Sequence, residues 1–229
     1  MGGGGFSMEA GNALLDDHVL SLTGAAHPRV CFLPTASGDA DHYIVRFYRA
    51  FSAGRCEPSH ISLFRRDGGA SDLAGHLLAQ DLIYVGGGSV ISLLGTWAAH
   101  GIDAMLRAAW ESGVVMTGLS AGSLCWFSDG ITAFHGEARP VRGLGLLPWS
   151  NAVHYDDEKR RQAFRVAVAG GMPPGYGTGD GAALHFVGPE LARVVGSRPK
   201  ARAYFVDAAT ETELGCDYLG TLPEPALAA

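Results

Sequence analysis

Cysteine is scarce: Cys31, Cys56, Cys125 and Cys216 are the only four in 229 residues, and they lie far apart. No CxxC occurs and no cysteine stands with histidine at zinc-site spacing. A disulfide framework and a metal centre are therefore not expected, no cofactor is called for, and the cytoplasm is the expected compartment. Charge is also sparse, with 17% of residues Asp, Glu, Lys or Arg and a net charge of −6 from 17 basic and 23 acidic side chains. That balance argues against a nucleic-acid partner engaged through a broad basic face. No apolar run reaches the roughly 20 residues of a membrane-spanning helix. The opening Met1-Gly2-Gly3-Gly4-Gly5 lacks the basic and apolar regions of a signal peptide. Internal repeats and long linkers are missing too.

What is present is a folded-protein composition, 47% apolar, in a length suited to one α/β domain over residues 1–229. Glycine is abundant at 33 residues, much of it clustered in turns. Short apolar runs alternate with helical patterns. Strands are expected at Arg29 to Pro34, Ser59 to Phe64, Asp81 to Val85 and Val114 to Thr117. Helices are expected over roughly Asp41 to Ala53, Asp72 to Ala79, Ser89 to Ala99, Ile102 to Glu111 and Ala121 to Phe127. This order predicts a three-layer α/β domain around a parallel sheet. The last third reads as a short antiparallel edge, with strands at Ala183 to Val187, Arg193 to Gly196, Ala201 to Val206 and Thr212 to Leu219.

Gly118-Leu119-Ser120-Ala121-Gly122 fits G-x-S-x-G between an apolar strand and a helix. Such a turn strains its central residue and presents the Ser120 hydroxyl at the carboxyl end of the sheet, beside a helix N-terminus. Ser120 is thus the candidate nucleophile. Acyl chemistry at a serine also needs amides aimed at the developing oxyanion. Ala121 supplies one candidate, and Gly86-Gly87-Gly88-Ser89, which closes the preceding strand, supplies the others in Gly87, Gly88 and Ser89. That turn is neither G-x-G-x-x-G nor a P-loop with its lysine.

Among nine histidines, His154 fits a general base best, since it follows the turn-rich Leu147 to Asn151 and precedes a helix beginning at Asp156 or Asp157. His135 is the runner-up. For the acid that orients the base, Asp180 stands between glycines just before a strand. Asp156 and Asp157 read more simply as helix caps, Asp129 as a turn residue and Glu190 as solvated.

The pieces Gly2-Gly3-Gly4-Gly5-Phe6, Phe32-Leu33-Pro34-Thr35-Ala36, Tyr84-Val85-Gly86-Gly87-Gly88-Ser89, Gly118-Leu119-Ser120-Ala121-Gly122, Leu146-Leu147-Pro148 and His154 resemble, in order and spacing, the peptidase E (aspartyl dipeptidase) and cyanophycinase family of serine peptidases. The likeness extends over about the first 190 residues. It implies a fold related to class I glutamine amidotransferases and a Ser-His-acid triad in that chain order, which Ser120, His154 and Asp180 satisfy. Three departures stand out. The family acid is a glutamate before glycine, where this chain has Asp180-Gly181. A longer loop after the family histidine carries a substrate-binding arginine, for which Arg160 is the nearest match. The family's first strand also precedes the glycine turn, where this sequence opens.

The resemblance implies a serine exopeptidase or dipeptidase acting on short peptides, without strict selection of an N-terminal aspartate. Cleavage of a β-aspartyl-arginine polymer, or a degenerate small-metabolite binder with no catalysis, are the alternative expectations. A homodimer is expected from the family, with Phe47, Tyr48 and Phe51 as candidate apolar contacts.

Overall fold

The computed structural model describes residues 1–64 and 72–221. Its first half is a four-stranded, all-parallel sheet of β1 (Arg29–Leu33), β2 (Glu57–His60), β3 (Leu82–Val85) and β4 (Val115–Gly118), in the spatial order β2-β1-β3-β4. Successive side chains on a strand point to opposite faces, and β1 and β3 are buried on both. Cys31, Leu33, Ile83 and Val85 pack in one core with Leu93, Trp97 and Leu106. Val30, Phe32, Leu82 and Tyr84 pack in another with Phe6, Tyr43 and Phe47. The continuous apolar runs of the sequence therefore sit between two layers of helices, as expected.

Those helices begin and end where local chemistry dictates. The amphipathic helix α3 (Asp41–Ala50) puts Tyr43 and Phe47 on one buried face. It belongs to the series α1 (Gly5–Met8), α2 (Leu14–Ser21), α3, α4 (Leu73–Leu78), α5 (Val90–His100), α6 (Ile102–Glu111), α7 (Ala121–Leu124) and α8 (Glu158–Ala169). The side chains of Asp72, Ser89 and Asp157 cap α4, α5 and α8 by accepting from Gly75, Ser92 and Arg160 N–H groups. Gly101 ends α5 in the left-handed region at φ 68°. None of the described helices is long and apolar enough to cross a membrane.

The second half is a mixed sheet in the order β12-β11-β8-β7-β5-β6, made of β5 (Phe127–Thr132), β6 (Arg139–Arg142), β7 (Leu147–Val153), β8 (Gly175–Thr178), β11 (Ala203–Val206) and β12 (Glu211–Leu214). The strands β5, β7 and β8 run parallel, while β6, β11 and β12 are antiparallel additions. A hairpin of β9 (Ala182–Val187) and β10 (Glu190–Gly196), with β13 (Asp217–Tyr218) beside β10, completes the described residues.

Several expectations are corrected here. Leu147 to Asn151, read as turn-rich, is the start of β7. Its Pro148 is tolerated because the β5–β7 register slips between Phe127/Leu147 and Asp129/Ser150. Tyr176 to Thr178 is a fully buried strand, because glycine lets the backbones close in: a Cβ at Gly175 would lie 1.9 Å from the Ser150 carbonyl oxygen. Asp129 stands in β5 rather than in a turn. The helix after Ser120 stops at Leu124. Phe47 and Phe51 are fully buried in the aromatic cluster around Phe6, which leaves only Tyr48 of the three exposed and removes them as dimer contacts.

Beneath the opening glycine turn, Asp16 on α2 is 2% exposed, and the Tyr84 hydroxyl donates to it at 3.4 Å. Burial pushes its carboxyl up to about 7, against about 3.8 in the unfolded chain. The folded state thus holds its proton while the unfolded state has lost it. Stability is greatest below the unfolded value and declines as pH rises toward 7. In urea titrations, Asp16→Asn is expected to gain on the parent by up to about 4 kcal/mol between pH 4 and pH 9. Parallel pH curves for the two proteins would contradict this.

Candidate active site

The site is assembled where the two halves of the molecule meet. Ser120 follows β4 at φ 53° and ψ −116°, a conformation that costs a non-glycine residue on the order of 1–3 kcal/mol. The surroundings enforce it. Leu119 N–H donates to the Val85 carbonyl at 3.3 Å, Ser120 N–H to the Met1 carbonyl at 3.1 Å, and Gly122 N–H to the Leu119 carbonyl at 2.9 Å. Both glycines of G-x-S-x-G are demanded by contact: a Cβ at Gly118 would lie 2.1 Å from the Gly122 oxygen, and one at Gly122 2.2 Å from the Val85 oxygen.

His154 leaves the end of β7, also at positive φ (53°), and Asp180 lies between β8 and β9. His154 Nε2 is 2.9 Å from Ser120 Oγ, and His154 Nδ1 is 2.6 Å from Asp180 Oδ1. The hydrogen bond with His154, helped by Arg198 and Arg160 and opposed by burial, holds the Asp180 carboxyl below the usual range. An ionised carboxylate can only accept, so the imidazole proton sits on Nδ1 and Nε2 turns its lone pair toward the Ser120 hydroxyl.

The glycine turn at the start of the chain is part of this assembly. Gly3 forms a parallel bridge with Asp180, and its carbonyl accepts from Gly181 N–H at 2.8 Å. A Cβ at Gly3 would lie 2.3 Å from Asp180 Oδ1 and 2.9 Å from His154 Cε1. Asp156, read as a helix cap, instead accepts the Asp180 backbone N–H at 2.7 Å, and Asp157 takes the cap. Buried Glu9 accepts from Ser197 and Arg198, which fixes Arg198 near Asp180 and Gly181. No local sequence pattern marks these long-range supports.

The other candidates divide. Gly87 packs against Leu119 and Ser120, but its N–H already donates to the Tyr43 hydroxyl at 3.0 Å. The Gly88 and Ala121 N–H groups carry no hydrogen bond among the described residues. Ser89 caps α5 and its hydroxyl lies 2.8 Å from His135 Nε2, and both residues line a different pocket from the one that Ser120 lines. Glu190 is exposed at the start of β10. The four-residue α7 is too short to contribute much of a macrodipole, so any oxyanion stabilisation falls to individual amides.

Around Ser120 opens a pocket of about 380 Å³, to which His42, Arg46 and Arg160 contribute. Arg46 reaches only the Ser7 carbonyl, at 3.4 Å, and the Arg160 guanidinium pairs with nothing among the described residues. Arg161, by contrast, is bound to Glu211 and stacked on Tyr155 and Tyr204. A larger groove of about 700 Å³ lies elsewhere, between β4 and β9.

Residues 1–194 match Peptidase family S51. This chain belongs to that family. It is 46% identical over 226 residues to the uncharacterized peptidase YgaJ of Bacillus subtilis (strain 168), covering 96% of this chain and 97% of the relative. A peptidase from an acI-B1 Actinobacterium superposes with a TM-score of 0.71 at 18% identity, over 94% of this chain and 92% of that one. A putative peptidase E protein from Listeria monocytogenes EGD-e gives a TM-score of 0.50 at 16% identity, over 86% and 92%. These two likenesses show the shared α/β fold. The chain is thus a peptidase of family S51.

Glycine substitutions distinguish scaffold from spacer. Gly3→Ala forces backbone against Asp180 and His154 and is expected to cost about 1–3 kcal/mol in urea unfolding. Gly95→Ala, in α5 with nothing within 4 Å of the added carbon, is expected to gain about 0.5–1 kcal/mol. Equal effects at the two positions would contradict the contacts described.

Proposed function

We propose that this S51 peptidase is a serine exopeptidase that hydrolyses short peptides, dipeptides among them, through Ser120, His154 and Asp180. The observation that carries the reading is the continuous relay of Ser120 Oγ, His154 and Asp180, at 2.9 and 2.6 Å, opening on a pocket of small volume.

In the proposed reaction His154 Nε2 takes the Ser120 proton as Oγ attacks the scissile carbonyl. Asp180 stabilises the imidazolium and remains ionised throughout. The carbonyl oxygen becomes an oxyanion beside the free Gly88 and Ala121 amides. His154 then returns the proton to the leaving amine, the C–N bond breaks, and an ester on Ser120 remains. Water, deprotonated by the same nitrogen, attacks this ester and releases the acid product with Ser120 restored.

The pocket's charge selects the substrate. Arg160, whose guanidinium has no partner among the described residues, and Arg46, which reaches the Ser7 carbonyl, favour a carboxylate, whether a peptide's terminal group or an acidic side chain, and repel the cationic side chain of a β-aspartyl-arginine unit. This favours short peptides over that polymer.

A fluorophosphonate probe is expected to label Ser120 in the native protein and to leave Ser120→Ala unlabelled. Kinetically, Ser120→Ala loses on the order of 10⁴- to 10⁶-fold in kcat, and Asp180→Asn about 10⁴-fold through the wrong imidazole tautomer. A folded, unlabelled parent would favour a non-catalytic binder. On a dipeptide library, Arg160→Ala is expected to raise KM about 10- to 100-fold for substrates bearing the selected carboxylate, with kcat largely kept. An unchanged KM across the library would remove Arg160 from substrate recognition.

A further inference from the structure

The turn after β3, Gly86-Gly87-Gly88-Ser89, contains three consecutive residues without a side chain, so nothing of its own fixes which way its peptide groups face. The surroundings fix them, one amide at a time. Gly86 N–H donates to the Leu33 carbonyl at 3.1 Å, which continues the pairing of β1 with β3. Gly87 N–H donates to the Tyr43 hydroxyl at 3.0 Å. Ser89 N–H donates to the Ala36 carbonyl at 2.8 Å. Of the four, Gly88 N–H alone has no acceptor among the described residues. Gly88 also stands at φ 138°, where an added Cβ would lie 2.1 Å from the Ala36 oxygen. The neighbouring Gly87 lies against the elbow, since a Cβ there would be 3.4 Å from Ser120 Cβ. The free amide is therefore held between two tethered ones, beside the nucleophile.

Of these tethers only one is a side chain. Tyr43 sits in the first turn of α3, and the chain entering that helix is itself constrained. Asp39 is fully buried at φ 55°, and its carboxylate accepts from the Leu63 and Phe64 N–H groups at 2.6 and 2.9 Å. The Tyr43 ring is 6% exposed and meets Phe32 edge-on, with centroids 5.2 Å apart. It also occupies the space beside Gly86, where a Cβ would lie 2.9 Å from Tyr43 Cε1. Packing thus fixes the ring, and the ring delivers its hydroxyl to Gly87 at the wall of the pocket that Ser120 lines.

We propose that Tyr43 is the positioning residue of the oxyanion turn: its hydroxyl takes the Gly87 N–H and so keeps the next amide, Gly88 N–H, available to the substrate. This role rests on the acyl-transfer reading above, in which the Gly88 amide meets the oxyanion. Without the hydroxyl, the peptide group between Gly87 and Gly88 is flanked by two residues that accept either sign of φ. It can then rotate and present its carbonyl where its N–H stood. An oxyanion facing that carbonyl loses a donor, a loss worth on the order of 10²–10³ in kcat when complete. The Ala36–Ser89 tether remains, so the loss in a variant lacking only the hydroxyl is partial.

Tyr43→Phe keeps the ring and removes the hydroxyl alone. On the best-cleaved dipeptide of a library, kcat is expected to fall about 10- to 100-fold with KM within about threefold of the parent. The rate of fluorophosphonate labelling at Ser120 and the affinity for a peptide aldehyde, whose adduct carries an oxyanion, fall in parallel. The pH profile of kcat/KM keeps its midpoint, because the base is untouched. A second measurement needs no substrate. Hydrogen exchange in the parent is expected to be slow at Gly86, Gly87 and Ser89 and about tenfold or more faster at Gly88, with Gly87 joining Gly88 in Tyr43→Phe. A parent in which Gly87 exchanges as fast as Gly88 would overturn the proposal. So would a Tyr43→Phe protein that loses Tm while kcat, labelling and aldehyde affinity hold, since the hydroxyl would then serve stability only. A folded parent that the fluorophosphonate leaves unlabelled removes the acyl-transfer reading itself, and this role with it.

Discussion

The hydrogen bond between His154 Nδ1 and Asp180, 2.6 Å long, is the contact on which the site depends. A carboxylate at Nδ1 favours the tautomer that carries its proton there, which leaves Nε2 facing the Ser120 hydroxyl. Nothing in the loop of Asp180 would hold its carboxylate there unaided. Asp156 holds its N–H, Gly3 bridges it, and Arg198 lies nearby, anchored by Glu9. The bond thus depends on four stretches of the chain, around Gly3 to Glu9, His154 to Asp156, Asp180 and Arg198.

This dependence explains why glycine is so prominent. At Gly3, Gly118 and Gly122 a single added carbon would lie within 2.3 Å of a backbone oxygen or of Asp180 Oδ1. The strained φ of Ser120 and His154 is likewise sustained by long-range backbone hydrogen bonds, Ser120 with Met1 and Tyr155, next to His154, with Thr178. Strain of this kind persists only where the surroundings over-determine it.

How much of this was legible depended on whether the signal was local. The parallel sheet was readable because β1 and β3 are buried on both faces and appear as unbroken apolar runs. The elbow was readable because its two glycines flank the serine right after a strand. The strands β7 and β8 were hidden, because Pro148 at a bulge and glycines at close backbone approaches carry turn-like composition into buried strands. Phe47 and Phe51 could equally have been surface contacts until the packing of Phe6 placed them in the core. The role of Asp156 depends on where Asp180 comes to rest and leaves no trace in spacing. Arg160 was found through the resemblance, whereas Arg46 lies more than a hundred residues earlier and reaches the pocket only through the fold.

Everything proposed for the site requires that Asp180 hold His154 as the Nδ1–H tautomer with Nε2 facing Ser120. The most direct measurement is nitrogen-15 NMR of the histidine ring in the native protein at neutral to alkaline pH. The expected spectrum shows a protonated Nδ1 and an unprotonated Nε2 for His154, with the preference lost in Asp180→Asn. A His154 ring protonated on Nε2, or one indifferent to the loss of the carboxylate, would contradict it.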